Sequence, residues 1–159
     1  MGAKLTKGTQ LYFIDPSDDS VTEITEVTGF NPGGAPSDQI EVTALDDDAK
    51  EFMRGMRTPG TATIEVNPDP ENASHSRLHE LFLDDTVESV PFAVGWSDGT
   101  ADPTADSDGT FDQTAVARTM YYFDGYIADF PFDFSINAVV KTTISVQRTG
   151  EATWIETTP

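Results

Sequence analysis

The sequence predicts a mainly β fold, with one antiparallel β domain and a single helix on its flank. Apolar and polar residues alternate with a period of two in several segments, which is the pattern of strands with one buried face. One segment instead places apolar residues at helical spacing. The 159 residues, 37% of them hydrophobic, suit one domain with a substantial core, and neither an internal repeat nor a linker divides the chain.

The predicted strands are spread along the chain and separated by residues typical of turns. They cover residues 9–14, 21–28, 39–44, 61–66, 87–94, 120–130 and 134–148. The fourth ends at the sequence NPDP, a strong stop signal. In the last strand we expect one buried and one polar face. The buried face would hold Phe134, Ile136, Ala138, Val140, Ile144 and Val146, and the polar face Lys141, Thr143 and Gln147.

A helix of roughly three turns is predicted after the NPDP sequence. Asp69 can cap its start, Pro70 suits its first turn, and Glu71 favours the positive end of the helix dipole. An apolar stripe follows at helical spacing, made of Ala73, Leu78, Leu81 and Phe82. We expect the helix to end just before residues 84–85, two aspartates, and to pack against a sheet.

Three segments show neither period and are predicted to be irregular. Residues 31–37, NPGGAPS, have turn chemistry, and residues 98–115 are rich in Asp, Gly and Thr, as in an exposed mobile loop. Residues 45–59 carry Phe52, Met53 and Met56 among charges. These three side chains either fold back onto the core, the commoner arrangement, or contact a partner chain, where Met and aromatic residues are favoured.

The chain is strongly acidic, with 28 acidic residues, nine basic residues and a formal net charge of −19. Nucleic-acid binding through a basic face is therefore excluded, and anionic membranes would repel the protein. No stretch approaches the ~20 apolar residues of a membrane span, and residues 1–9 do not resemble a signal peptide. The charge is equally consistent with solubility in a salty cytoplasm and with a surface that repels a polyanion.

Catalytic and metal-binding patterns are weak in this sequence. His75 and His79 are four residues apart, but HSRLHE lacks the metalloprotease order and no third ligand is near, so two half-exposed surface histidines explain the spacing equally well. Asp102, Asp106 and Asp108 precede Gly109 but do not fit the register of a calcium loop, so the pattern indicates a solvated acidic loop or, less commonly, a weak surface cation site. Without cysteines or a plausible triad, we predict no enzymatic activity, no cofactor and no metal.

Several segments form a set of motifs when taken in order. They are ITEVTGFNPGGAPSDQIEVTALDDD (24–48), RGMRTPGTATIEVNPDP (54–70), SRLHELF (76–82), FAVGWSDG (92–99) and FDGYIADFPFDFSINAVVKTTISVQRTGE (123–151). The set resembles the major tail tube proteins of long-tailed, lambda-like phages over residues 8 to 151. The acidic insertion at 98–115 departs from the family pattern.

The resemblance implies two packed antiparallel sheets, sandwich or barrel-like, with one flanking helix. It also implies rings of six copies that stack into a hollow tube around a tape-measure protein and later conduct the genome, which would not be bound specifically. Tail terminator and tail-tip proteins would be further partners. The protein would assemble in the host cytoplasm and reside in the virion tail. The related tube of a contractile tail or secretion system is the alternative.

The resemblance also assigns roles to parts of the chain. The tube domain would span residues 8–149, between terminal arms at 1–7 and 150–159 that become ordered on stacking. The loop at 45–59 would reach a neighbouring subunit or ring. Its candidate contact residues are Leu45, Asp46, Asp47, Asp48, Phe52, Met53, Arg54, Met56 and Arg57. Candidate lumen-facing carboxylates are Glu23, Glu41 and Glu65, because an acidic lumen would let DNA slide.

Overall fold

The computed structural model describes residues 7–114 and 117–156 and confirms a mainly β protein with one short helix. The elements in chain order are β1 (Gln10–Asp15), β2 (Ser20–Ile24), β3 (Val27–Asn31), β4 (Ser37–Glu41), β5 (Phe52–Arg57), β6 (Thr61–Val66), α1 (Ala73–Leu83), β7 (Val90–Gly95), β8 (Met120–Asp129) and β9 (Thr142–Ile155). The predicted strand at residues 61–66 coincides with β6.

Seven of these strands form one antiparallel sheet in the order β2-β1-β7-β8-β9-β6-β3, and β4 pairs with β5 in a separate two-stranded sheet. Although β2 and β3 lie at opposite edges of the large sheet, only Thr25 and Glu26 separate them in sequence. Three Cα steps span at most ~11 Å, so the two edges must approach each other. The sheet therefore curls into a nearly closed barrel, as the predicted barrel-like fold requires.

The single strand predicted over residues 21–28 is wrong, because the chain turns sharply at Glu26, whose φ is +59°. His75 holds this corner. Its Nδ1 accepts a hydrogen bond from the Asp69 backbone N–H at 3.0 Å, so its Nε2 carries the proton and donates to the Thr25 carbonyl at 2.6 Å. The Asn72 side chain also bonds to the Thr25 hydroxyl. His75 is thus a buried structural residue and not a half-exposed surface histidine.

The main core fills the inside of the barrel, and α1 packs against β2 and β8. Alternate residues of the strands point inward, including Phe92 and Phe123, whose rings stack at 5.3 Å. Leu78 and Leu81 of α1 join the same cluster, as the predicted apolar stripe requires. The contiguous buried cluster explains why the helix, marginal on its own, is stable here.

The helix starts later than predicted. Asn72 is the N-cap, accepting from the backbone N–H of Ser74 at 3.0 Å, while Asp69 makes its own turn by accepting from Glu71 N–H. Because the helix starts at Ala73, residues 67–72 form a non-helical connection between β6 and α1. The helix ends at the C-cap Asp84, which agrees with the predicted end.

The start of the last predicted strand is also wrong. Phe134 and Ile136 are 78% and 92% exposed, and the segment turns at Asn137, whose φ is +61°. Asp133 and Lys141 exchange two backbone hydrogen bonds and close residues 133–141 into a loop. From Thr142 onward the prediction is confirmed, with Ile144 and Val146 fully buried. The strand β9 continues to Ile155, beyond the expected domain end at residue 149.

The segment predicted to be an exposed mobile loop, residues 98–115, instead covers part of the outer sheet face over residues 98–112. Phe111 is 5% exposed and packs on Tyr122 with ring centroids 5.5 Å apart. Asp102 accepts a 2.8 Å hydrogen bond from the hydroxyl of Tyr12. This second small core extends over β1, β7 and β8.

Arg118, 1% exposed, ties the ends of four segments together without a carboxylate partner in the described part of the chain. Its guanidinium donates to the Trp96 carbonyl at 2.6 and 2.9 Å and to the carbonyls of Ala101 and Gly8 at 3.2 and 3.3 Å. A Cβ at Gly95 would lie 2.5 Å from its Cζ, so this strand position must be glycine. Without the guanidinium, these carbonyl groups would be buried without a hydrogen-bond donor, and the free energy of unfolding would fall. Arg118 is therefore a structural residue.

An ion pair fixes α1 to the end of β1. Arg77 donates two 2.9 Å hydrogen bonds to Asp15 and a third to Glu80. Burial alone would raise the pKa of Asp15, but the hydrogen bonds from Arg77 and Ser17 outweigh it and hold the pKa below the usual 3.8.

We expect Asp15→Asn to lower the free energy of unfolding by ~1–2 kcal/mol at pH 7. Because the folded-state pKa is depressed, the stabilisation is complete above the unfolded pKa and disappears as pH falls through the folded value. Chemical denaturation of the native protein and the variant at neutral and strongly acidic pH measures the difference. The control Glu80→Gln, at a side chain 64% exposed, should change stability by less than ~0.5 kcal/mol. An Asp15→Asn effect that persisted below both pKa values would contradict the assignment.

Candidate assembly surfaces

The hairpin formed by β4 and β5 is the most unusual feature of the surface. Its register pairs Ile40 with Met53 and Glu41 with Phe52, so apolar side chains lie on both of its faces. Both strands pair only with each other, and a lone two-stranded hairpin is marginally stable in water. Its exposed apolar side chains and its lack of any further strand pairing in the described chain are typical of a segment that a partner covers.

The structure corrects the expected loop at residues 45–59, because Phe52–Arg57 is a strand. Phe52, Met53 and Met56 are 52%, 59% and 83% exposed, which contradicts the interpretation that they fold back onto the core. Contact with a partner chain stays a prediction. Residues 42–51 connect the two strands, with Leu45 fully exposed at the tip.

The charges of the hairpin are also distinctive. Lys50, Arg54 and Arg57 are three of the nine basic residues of the whole chain. All three are exposed, and none forms an ion pair within the described residues. Asp46 to Asp48 lie in the connecting turn, where Asp47 accepts a 2.6 Å hydrogen bond from the Ala44 backbone N–H. The strand β5 thus presents cations next to Met56, on a chain that is otherwise strongly acidic.

A second surface is the part of the outer sheet face that residues 98–112 leave open, here called the outer polar face. Its side chains alternate with buried core residues on β6, β8 and β9. It consists of Thr61, Thr63, Glu65, Asp124, Tyr126, Thr143, Ser145 and Gln147. These strand positions include two carboxylates and no Lys or Arg. Partial desolvation raises the pKa of Asp124 above its usual value.

The three predicted lumen carboxylates are not brought together. Glu65 lies on the outer polar face, with its carboxylate over the side-chain-free Gly29 of the edge strand β3. Glu23 is on the same side of the sheet at the other edge strand, and accepts a 3.0 Å hydrogen bond from Gln10. Glu41 lies on the separate hairpin. Asp124, on the same face as Glu65, was not among the predicted carboxylates, although strand alternation indicates that it points away from the core.

A third surface is an apolar groove of about 530 Å³ beside the helix, here called the aromatic groove. His79, Phe130, Phe132 and Phe134 line it, with neighbouring ring centroids 5.1 to 6.3 Å apart. Phe132 and Phe134 are 47% and 78% exposed. His79 is therefore part of an aromatic cluster, and not one of two histidines that share a metal.

The described residues contain no group of three or more His, Cys, Asp or Glu side chains placed to hold a metal ion. In the acidic loop, Asp106 accepts hydrogen bonds from the backbone of Asp108 and from Thr110, while Asp102 binds Tyr12. The helix of the described chain is too short and too polar to cross a membrane.

Comparison with known proteins identifies the class. The sequence matches the family described as "Phage tail tube, TTP, lambda-like" over residues 2–158. This chain belongs to that family. It is 43% identical to Structural protein 3 of Pseudomonas phage PAJU2 over 148 residues, covering 91% of this chain and 89% of the relative. The family is structural, and the resemblance seen in the sequence is confirmed.

Solved structures of low sequence identity share the fold. A chain from the tail of an empty gene transfer agent particle, refined with C6 symmetry, has a TM-score of 0.69 at 13% identity, covering 96% of this chain and 99% of that one. A chain of the PVC sheath–tube complex, from an extracellular contractile injection system, has a TM-score of 0.66 at 9% identity, covering 97% and 93%. The tail tube fold of this family member therefore also occurs in contractile systems.

Proposed function

We propose that this tail tube protein forms hexameric rings that stack into a hollow tube around a tape-measure protein, and that the tube conducts viral DNA during ejection. The observation that carries the proposal is the isolated hairpin, which exposes Ile40, Phe52, Met53 and Met56 on two faces. Burying these side chains against another copy would stabilise the assembly by ~1.5–3 kcal/mol for each one fully covered. The sixfold symmetry of the related gene transfer agent tail supports six copies per ring.

The edges of the barrel suit lateral association. The strands β2 and β3 are edge strands of the seven-stranded sheet, and each offers unpaired backbone groups to a neighbour. Outside the β domain, the N-terminal arm at residues 1–7 would become ordered on stacking, whereas residues 150–155 of the predicted C-terminal arm already pair with β8 as part of β9. Terminator and tail-tip proteins would close the two ends of the tube, which would be assembled in the host cytoplasm and carried in the virion.

The outer polar face is the surface that we assign to the lumen. Glu65 and Asp124 are exposed there, and no strand position of this face carries a cation, although the exposed Lys141 just before β9 borders Glu65. Duplex DNA carries one negative charge per ~1.7 Å of its axis, so a basic lumen would hold it at many points. An acidic, hydroxyl-rich wall gives no such contacts, and DNA would slide past it.

Negative-stain electron microscopy of the concentrated protein tests the proposal. We expect hollow filaments of uniform diameter, with sixfold symmetry in end-on views. A protein that stayed monomeric at every concentration and salt condition, or that formed solid fibres, would contradict the proposal. Expression together with a tape-measure protein should fix the filament length, which unguided polymerisation would not do.

Assembly should depend on ionic strength, because each copy carries a formal charge of −19. Like charges repel over a Debye length of ~8 Å at physiological salt and over ~30 Å at 0.01 M. We expect monomers at low salt, and tubes when salt or divalent cations are added, as measured by sedimentation. Equally ready polymerisation in low-salt buffer with a chelator would refute this expectation.

The tube of a contractile tail is the second candidate, because the PVC sheath–tube complex contains a chain of the same fold. The two candidates differ in whether a sheath surrounds the tube. Electron microscopy of tails purified from the producing virus would show a bare tube for a long flexible tail. A contracted sheath on these tails would favour the second candidate.

A further inference from the structure

We infer that the aromatic groove is the receptor for the β4–β5 hairpin of a neighbouring copy, so that Phe52 and Met56 dock against Phe132 and Phe134. This inference rests on the proposed self-assembly and specifies which two surfaces meet. Both surfaces expose large apolar side chains. The hairpin is a protruding element, and the groove is a depression that such an element can fill.

Among the residues that the structure describes, none covers the groove. Phe132 and Phe134, which line it, are 47% and 78% exposed, and Val140 from the same loop as Phe134 also lines it. That loop is nevertheless fixed, because the paired backbone hydrogen bonds between Asp133 and Lys141 close it and the ring of Phe132 packs on those of His79 and Phe130. A structured apolar surface of this kind is typical of a binding site.

Local charge favours β5 as the strand of the hairpin that enters the groove, whereas residues 37–57 as a whole carry six carboxylates and three cations. The residues that line the groove include the carboxylates of Asp69 and Glu80, of which Glu80 also binds Arg77, and no Lys or Arg. The strand β5 carries Arg54 and Arg57 on either side of Met56. On a chain of charge −19, most surfaces would repel one another, and a basic apolar strand against an acidic apolar groove is a favourable combination.

The geometry also fits a repeating assembly. The hairpin and the groove are different surfaces of one chain, so their contact is heterologous and leaves a free hairpin and a free groove at the ends of each pair. A contact of this type propagates into rings or filaments. The unbranched side chain of methionine can adapt to an irregular aromatic wall, and sulfur–aromatic contacts are favourable.

The absence of cysteine from the chain permits a direct test. Met56→Cys and Phe134→Cys are prepared as separate proteins, mixed, assembled and treated with a short bifunctional maleimide. We expect a crosslinked dimer that contains one copy of each variant. The matched control replaces Phe134→Cys with Tyr126→Cys, whose site is 45% exposed on the outer polar face, and should give roughly tenfold less of this dimer.

A second variant tests the energetics. Phe134→Ser should keep the native melting temperature, because the side chain is already exposed, and should raise the protein concentration needed for assembly roughly tenfold or more. Tubes that form normally from Phe134→Ser, or that form without the Met56–Phe134 crosslink, would overturn the inference and leave the proposed function intact. If the native protein forms no tubes under any condition, the proposed function itself fails.

Discussion

Replacing both Phe52 and Met56 with serine is expected to abolish tube formation and to leave a folded monomer. Both side chains are more than half exposed in the single chain, so their loss removes little from the core. Upon assembly the exposed part of each side chain would be buried, and because Phe52 and Met56 are 52% and 83% exposed, the double variant would lose ~2–4 kcal/mol per contact. Because every copy in a tube makes this contact, the effect on polymerisation is large.

The measurement combines sedimentation of the assembled fraction with circular dichroism and thermal denaturation of the monomer. Leu83→Ser is the matched control, since Leu83 is 64% exposed at the end of α1 and lies outside the hairpin. We expect the control to polymerise and the double variant to remain in the supernatant with a native melting curve. Normal tubes from the double variant would show that the hairpin is not the contact element.

Placing a lysine on the outer polar face is expected to hold DNA in the tube. In a phage that carries Glu65→Lys, each ring of six copies would present six lysines to the duplex. The DNA affinity of a surface that makes about six phosphate contacts falls by roughly 10³ when the salt concentration rises from 50 to 200 mM. We therefore expect tails of normal appearance, DNA ejection that stalls at low salt, and recovery of ejection as the salt concentration rises.

The control for this experiment is Glu65→Gln, which removes the charge without adding a cation. Glu65 is exposed, and its side chain lies over Gly29, so the replacement should leave the sheet intact. Ejection is followed by the fluorescence of a DNA dye after a trigger. Ejection by the lysine variant at the native rate in low salt would show that Glu65 does not face the lumen, and the same substitution at Glu23 would then test the other edge of the sheet.

Secondary-structure elements could be predicted from the sequence alone where the local pattern and the tertiary environment agree. The strand β6 could be predicted to the residue, because alternation over residues 61–66 ends at a proline-rich stop. Two core positions of α1, Leu78 and Leu81, followed from their helical spacing, whereas Ala73 of the predicted stripe is exposed. The tail tube family was also recognisable, since it depends on the order of many motifs along the chain, which needs no knowledge of contacts.

The tertiary structure decided which periodic segments are covered by another element. Residues 134–140 alternate like those of β9, but the chain turns at Asn137 and leaves Phe134 and Ile136 78% and 92% exposed. The strand β5 was not predicted, because FMRGMR has apolar residues at both odd and even positions and lacks the alternation of a half-buried strand. A hairpin that is exposed on both faces allows this pattern. His75 and Arg118 have polar side chains that suggest the surface, yet both are buried.

The physical reason is that period and propensity describe the chain within a few residues, whereas burial depends on distant partners. His75 is buried because Asp69 and Thr25, six and fifty residues away, satisfy both ring nitrogens. Arg118 is buried because Gly8 and Trp96 supply carbonyl acceptors. The sequence thus indicated a β-rich tail tube protein, and only the folded chain showed where its exposed hairpin and its aromatic groove lie.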